Sequence, residues 1–261
     1  MKKRRVSSLL ILFAALMVIV ACSSNENIQT EKTLEAERII SFSDFGAENF
    51  TCTGMTYDTK DDVVWIADYG ALTLNGDRHP RVVAVKNFES VVKSLDVDTG
   101  SDLQGIAYDE KDDALWLALG DKVIEMDKDG KTVDTLELTF TPNGICYDPD
   151  DTLWVLCTEK YLLHLEKSGE IIQSYEFNYR HQDHIYTNGE CIYVTIGADY
   201  KGDDNYLCKF SEGGDKEFYR LIGANAVEGI CKIDGRIYIA NDGLYHDDKR
   251  GESYIAEFTE G

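Results

Sequence analysis

Gln104-Gly-Ile-Ala-Tyr-Asp109, followed by Leu115-Trp-Leu-Ala118, is the clearest copy of a pattern that recurs along the chain. A polar residue before Gly-Ile or a close variant, then a hydrophobic run around an aromatic residue, occurs five times. The intervals between successive aromatic residues are 51, 38, 39 and 45, and these residues are Trp65, Trp116, Trp154, Tyr193 and Tyr238. Repeats of this period, made of short strands, are typical of a β-propeller.

Each repeat holds up to four short apolar runs separated by Asp-Gly or Asp-Asp turns, which are signals of β-hairpins. The last repeat stops at Phe258 after three runs, and residues 38–43 have the pattern of the missing strand. We therefore expect an all-β domain over residues 38–261, a five-bladed β-propeller whose last blade is closed by an N-terminal strand. Six blades is the alternative, if the first interval hides a degenerate repeat.

The N-terminal residues 1–21 combine a basic start with a continuous apolar run, the pattern of a secretory signal peptide. The run ends in Ile19-Val-Ala-Cys22 and resembles the lipobox of bacterial lipoproteins, in which cleavage leaves an N-terminal cysteine carrying palmitate-type acyl chains. The resemblance implies a lipid anchor at Cys22 on the extracytoplasmic side of a bacterial membrane. An ordinary signal peptide or membrane anchor is the alternative. Residues 22–37 are polar and predict a flexible tether.

The acidic charge limits the partners. Without the four basic residues of the leader, 22 Lys and Arg face 48 Asp and Glu, a net charge of −26. Such a surface disfavours nucleic acid and anionic headgroups, so the lipid anchor is the expected membrane contact, and it favours cations and basic ligands. We expect a monomer.

Six further cysteines lie mostly inside apolar runs, which predicts buried free thiols. A disulfide framework is the alternative for an exported protein. These cysteines are Cys52, Cys146, Cys157, Cys191, Cys208 and Cys231.

The residue before each Gly-Ile is expected to point towards the mouth of the central channel. These five residues all carry oxygen atoms: Thr53, Gln104, Asn143, Asp183 and Glu228. Such a ring suits a hard divalent cation such as Ca²⁺, which takes six to eight oxygen ligands. The alternative is that these side chains only cap strand ends.

Long loops follow the second strand in repeats one, four and five, which are neighbours in a closed ring. Their aromatic and charged residues predict a ligand-binding wall beside the channel mouth. These residues are Tyr69, His79, Tyr200, Tyr245, His246 and Arg250.

The repeat resembles NHL-repeat proteins and the gluconolactonase-like (senescence-marker-protein) family. That resemblance implies a divalent cation, commonly calcium, held by Asn143, Asp183 and Glu228. It also implies a metal-dependent hydrolase of a lactone or ester, with Asp183 as the base that activates water. The sequence departs from the family, because Glu228 lies in the closing repeat and the ring has five repeats.

Two functions follow from the sequence. The favoured one is a surface-anchored lipoprotein whose top face binds a ligand or a protein partner without catalysis. The alternative is the metal-dependent, lactonase-like hydrolase with a cation in the channel. Fold alone does not choose between them.

Overall fold

The computed structural model of the chain describes residues 28, 30, 32–47, 50–70, 79–97, 102–197, 205–242 and 253–260. Two strands, β1 (Thr33–Glu35) and β2 (Arg38–Ser41), precede the blades. Blade 1 contains β3 (Cys52–Asp58), β4 (Val63–Asp68), β5 (Arg81–Lys86) and β6 (Ser90–Asp96). Blade 2 contains β7 (Leu103–Asp109), β8 (Ala114–Leu119), β9 (Lys122–Asp127) and β10 (Thr132–Glu137). Blade 3 contains β11 (Pro142–Asp148), β12 (Thr152–Cys157), β13 (Tyr161–Glu166) and β14 (Ile171–Glu176).

The remaining strands form the last two blades. Blade 4 contains β15 (Gln182–Thr187), β16 (Cys191–Gly197), β17 (Asn205–Ser211) and β18 (Lys216–Ile222). Blade 5 contains β19 (Val227–Ile233), β20 (Arg236–Asp242) and β21 (Ser253–Thr259). The first strand of each blade is the inner one, and these inner strands contact one another in cyclic order, with β19 against β3. The five-bladed propeller is therefore confirmed. In the residues that the structure describes, the long first interval holds no extra blade.

The N-terminal segment joins the last two blades. Strand β2 pairs antiparallel with β21 and supplies the fourth strand of blade 5, as predicted. This strand ends at Ser41, two residues before the predicted end, because Ser41 and Asp44 form a capping box that starts a short 3-10 helix, Phe42–Phe45. Strand β1 pairs in parallel with β18 of blade 4. It lies in the segment predicted as tether, so part of that segment is ordered against the propeller.

The turn between the first and second strands contains a left-handed residue in every blade, which is Gly189 in blade 4 and an aspartate in the other four. These aspartates are Asp62, Asp113, Asp151 and Asp234, with φ between 50° and 73°. Aspartate tolerates this conformation better than most residues, which explains the Asp-Asp and Asp-Gly turns of the sequence. We call the face with these turns the lower face, and the face where the inner strands begin the top face.

The core lies between blades, where the repeated aromatic residues pack. Trp65, Trp116 and Trp154 are almost completely buried. Each indole N–H donates to the aspartate that ends the inner strand of its own blade, at 3.0–3.2 Å. Because a buried indole N–H needs an acceptor, the Tyr-Asp and Trp positions of the repeat form one structural unit.

Two lysines connect neighbouring blades across the lower face. Lys128 of blade 2 contacts Asp58 and Asp61 of blade 1 as well as Asp113 of its own blade. Lys167 of blade 3 makes the same three contacts one blade further on. Asp58 has no solvent exposure, so an ammonium group that compensates its charge holds the two blades together.

The six cysteines among the described residues are free thiols, and all but Cys191 are buried, in agreement with the sequence prediction. Within the described ranges, no helix is long and apolar enough to cross a membrane.

Candidate functional site

A β-bulge occurs in every inner strand at the channel mouth. The pairing of the inner strand with its neighbour shifts register across the polar residue before Gly, or across that residue and the next one. Bulges re-aim side chains and are frequent beside functional sites. The five polar residues that the sequence singled out, Thr53, Gln104, Asn143, Asp183 and Glu228, all lie at these bulges.

The glycines that follow four of these residues let the inner strands approach closely. A Cβ atom at Gly54, Gly105, Gly144 or Gly229 would lie 3.0 Å or less from a backbone atom of the next inner strand. Real Cβ contacts are longer, so no other residue fits without displacing the backbone. The inner strands therefore meet closely just below the channel mouth.

His184 replaces the fifth glycine, and its imidazole reaches across to the inner strands of blades 1 and 2. The residue has no solvent exposure, and its Nε2 accepts a hydrogen bond from the backbone N–H of Ile106 at 3.3 Å. In the described part of the chain its Nδ1 has no hydrogen-bond partner. Burial lowers the pKa of His184 to about 3, so the ring is neutral at physiological pH. We infer that it closes the channel below the mouth.

Two members of the polar ring join neighbouring blades. The Thr53 hydroxyl donates to the carbonyl of Leu103 at 3.0 Å, and the Asn143 amide donates to the carbonyl of Gln182 at 3.0 Å. Both acceptors belong to the next inner strand. These two side chains therefore cap backbone groups, which is the structural alternative that the sequence left open.

Glu228 differs from the other ring members in its burial and its charge environment. Only 9% of it is exposed. Burial raises its pKa well above the ordinary value, and the negative charge of Asp242 raises it further. Thr195 of blade 4 donates its hydroxyl to the Glu228 carbonyl at 2.7 Å and accepts from the His184 N–H, so the backbone at the mouth is fixed.

Asp242 ends β20 and is the partner that sequence reasoning missed. It is 2% exposed and accepts a hydrogen bond from the Ser253 hydroxyl at 3.2 Å. The pKa of the buried Cys52 thiol is also raised, first by burial and then by Asp242 and Glu228. These three groups share one electrostatic neighbourhood between blades 5 and 1. The sequence does offer one signal for Asp242 as a site residue. It ends the second strand of its repeat, directly before one of the long loops of the predicted ligand-binding wall.

The predicted wall is described in part. Tyr69 is buried, and its backbone N–H donates to the Thr51 carbonyl at 2.9 Å, whereas His79 is exposed at the other end of the same loop. Tyr200, Tyr245, His246 and Arg250 lie outside the described residues, as does Cys22. The ligand-binding role of this wall stays a prediction.

The predicted cation ligands are placed near one face but are not shown to form a metal site. Three side chains among the described residues bring their ligand atoms within 4.8 Å of one another, as a metal site requires. They are Asp109, Asp112 and Asp151. That group lies on the lower face and contacts Lys167, whose ammonium group takes the place that a cation would need. The set Asn143, Asp183 and Glu228 remains a prediction for Ca²⁺. Asp183 is half-buried at the mouth, and its catalytic role also remains a prediction.

The fold and the residues at the channel mouth identify the class of protein as a five-bladed β-propeller with a polar channel mouth and His184 below it. The sequence matches no family profile and no curated protein, so the NHL and gluconolactonase resemblance is not confirmed.

Solved structures share the fold. A glutaminyl cyclase from Myxococcus xanthus aligns with a TM-score of 0.64 at 12% identity, over 87% of this chain and 97% of that chain. A protein of unknown function from Bacteroides caccae gives 0.52 at 12% identity, over 80% and 78% of the two chains. The PQQ-bound aldose sugar dehydrogenase from Streptomyces coelicolor gives 0.51 at 9%, over 87% and 98%. At these identities the likeness concerns the fold alone.

Proposed function

We propose that the top mouth of this propeller binds a ligand that presents a basic group, with Glu228 and Asp242 as its acceptors, and that binding does not require catalysis. The observation that carries the proposal is the burial of these two carboxyl groups close enough for Asp242 to raise the pKa of Glu228. Two buried carboxyl groups repel each other when both are ionised. A bound ammonium group or divalent cation offsets that repulsion.

The surroundings favour the same ligand class. The net charge is strongly negative, and Asp183 and Asp242 lie on strands that begin or end at the top face, whereas Arg81 compensates the charge of Asp68 at 2.9 Å. Negative potential at a mouth raises the local concentration of cations. In this proposal His184 blocks the channel below the mouth, so a ligand enters from the top face only.

A second candidate function is acid–base catalysis at the same mouth. It is favoured by the raised pKa of Glu228, because a carboxyl group is better suited to act as a general acid when its pKa is raised towards the operating pH. One neighbour of this fold is a glutaminyl cyclase. In this candidate Glu228 exchanges protons with the reacting group. The metal-dependent lactonase-like hydrolase, with Asn143, Asp183 and Glu228 around Ca²⁺ and Asp183 as base, is the other catalytic form.

The proposal includes a location. Lipidation of Cys22 anchors the domain on the extracytoplasmic side of a bacterial membrane, with the following polar residues as spacer. Labelled palmitate incorporated into the wild-type chain and lost in Cys22→Ala supports this part, and equal labelling of both chains contradicts it.

The Glu228→Gln variant tests the electrostatics of the site. When the pKa of a carboxyl group is higher in the folded state than in the unfolded state, its protonated form stabilises the fold. That contribution is fully present at low pH and is lost as the pH rises through the folded-state pKa. We therefore expect Glu228→Gln to be more stable than wild type at pH 8, by about 1–3 kcal/mol, and equal to it near pH 4. Urea unfolding at both pH values measures this, with the exposed Glu137→Gln as control. A Glu228→Gln chain that is less stable at pH 8 would sink the electrostatic argument.

Ligand binding is tested with a short peptide that has an N-terminal glutamine and a free amine. We expect this peptide to raise the melting temperature of the wild-type chain, its N-acetylated form to have no effect, and Glu228→Gln to lose the response. Ca²⁺ is titrated in parallel. Ammonia release that depends on Glu228 would favour the catalytic candidate. No response to either probe contradicts binding of a basic ligand.

A further inference from the structure

A cavity opens on the lower face, on the other side of the inner-strand glycines from Glu228. Its volume is about 180 Å³. Its walls come from the lower halves of all five inner strands and from the turns after them. Because His184 and the glycines separate the two ends of the channel, this cavity is distinct from the site at the top mouth.

The repeat is broken in two of the blades that line the cavity. Blades 1, 2 and 3 place a tyrosine three residues after the glycine: Tyr57, Tyr108 and Tyr147. At the same register, blade 4 has Thr187 and blade 5 has Lys232. A fourth ring, Tyr186, enters the wall one residue earlier in blade 4. Four tyrosines thus line the cavity.

Hydrogen bonds fix three of these rings. The hydroxyl groups of Tyr57, Tyr108 and Tyr147 donate to aspartates of the left-handed turns at 2.7, 2.9 and 3.1 Å. The hydrogen bond to Asp62 raises the pKa of Tyr57 to about 12, so the phenol stays neutral. A phenol that donates to a carboxylate has a more electron-rich ring, and electron-rich rings attract cations.

The chain already shows this attraction at two of the rings. The Lys128 ammonium group lies 5.3 Å from the centre of Tyr108, and the Lys167 ammonium group lies 5.8 Å from the centre of Tyr147. The rings are therefore in electrostatic surroundings where positive charge is favoured.

The charge around the opening of the cavity also favours a positively charged ligand. The turns at residues 58–62, 109–113 and 148–151 hold ten acidic residues and two lysines, and Lys86, Lys128 and Lys167 add three cations from other turns, so the border keeps a net negative charge. The cation in the wall, Lys232, is 3.3 Å from Glu260, so its charge is compensated. An anionic ligand would have to displace Glu260 from Lys232 and approach this acidic border.

We propose that the lower cavity binds a small organic cation of the quaternary ammonium type, held by Tyr57, Tyr108, Tyr147 and Tyr186. Quaternary ammonium groups are recognised by aromatic cages, in which the rings supply attraction without requiring hydrogen bonds. The size fits, because a cavity of roughly 150 Å³ is large enough for benzene.

Choline is the probe, and 3,3-dimethylbutan-1-ol is its uncharged control of the same shape. We expect calorimetric titration to show choline binding to the full domain at millimolar concentration or better, and the alcohol to bind at least tenfold more weakly. Sodium chloride at equal ionic strength serves as the salt control. Equal affinity for choline and the alcohol, or no choline binding up to about 10 mM, overturns the proposal.

Three variants locate the binding. Tyr186→Leu removes a ring but keeps an apolar side chain, and we expect at least a fivefold loss of choline affinity. Lys232→Met removes the positive charge from the wall, and we expect choline to bind two- to fivefold more tightly. A cavity that binds anions would instead lose affinity for its anion in this variant. Glu228→Gln lies at the top mouth and is expected to leave choline binding unchanged. A choline signal that Glu228→Gln abolishes and Tyr186→Leu leaves intact belongs to the top mouth and overturns the lower site.

Discussion

Gly229→Ala is expected to destabilise the propeller by about 3 kcal/mol or more. A Cβ atom at this position would lie 2.7 Å from the carbonyl carbon of Gly54 and 2.7 Å from the backbone nitrogen of Met55. These are backbone atoms of the neighbouring inner strand, so no rotamer change relieves the contact. The strands β19 and β3 close the ring between the last and first blades. Separating them strains every other blade interface.

Urea unfolding followed by tryptophan fluorescence measures the effect, and Gly120→Ala is the matched control. A Cβ atom at Gly120 would meet its nearest neighbour at 3.8 Å, an ordinary contact, so a change within about 0.5 kcal/mol is expected. A Gly229→Ala chain as stable as the control would mean that the inner strands do not approach as closely as described. Because Glu228 precedes this glycine, any folded Gly229→Ala chain is also expected to lose the response to the amine probe.

Lys167→Met is expected to destabilise the domain by about 2–3 kcal/mol. The Lys167 ammonium group lies 2.7 Å from the Asp109 carboxylate of blade 2, which has no solvent exposure, and 3.0 Å from Asp151 of its own blade. Without it, Asp109 keeps its hydrogen bonds from Trp116 and from two backbone N–H groups but has no compensating charge. Breaking a buried pair costs more than a surface pair contributes, because one charge stays buried and unpaired.

The control is Lys93→Met, which removes an ion pair with Asp129, an aspartate whose side chain is 91% exposed. That change is expected to cost less than about 0.5 kcal/mol. The pH dependence gives a second check. The ammonium groups of Lys111 and Lys167 lower the pKa of Asp151 to about 2. The contribution of the cluster is therefore present above about pH 4 and lost as the pH falls towards 2. If Lys167→Met and Lys93→Met are equally stable, the lysines are not inter-blade clamps.

Much of the fold could be predicted because the repeat is local. The spacing of Trp65, Trp116, Trp154, Tyr193 and Tyr238 gave the number of blades, and the three-stranded last repeat required a strand from residues 38–43. Strand β1 could not be predicted, because its partner β18 lies far along the chain and its own sequence is short and polar. Parallel addition to an exposed edge leaves almost no pattern in three residues.

The sequence predicted where the polar residues of the site lie in each repeat, but not what each of them does. The sequence grouped Thr53, Asn143 and Glu228 as equivalent members of one ring. In the structure the first two cap backbone carbonyls of the next blade, and Glu228 is buried beside Asp242. His184 was visible as the residue that replaces a glycine, yet its place in the channel depends on strands from two other blades.

The class of architecture, the number of repeats and the face that carries the polar residue of each repeat could all be read from the sequence. These follow from strand alternation and turn chemistry, which act within a few residues. The folded structure was needed to show which polar residues take part in blade packing, which carboxyl groups lie together and which imidazole reaches across the channel. The reason is physical: pKa, burial and close approach depend on atoms from blades that are tens of residues apart, and the closed ring brings those atoms together.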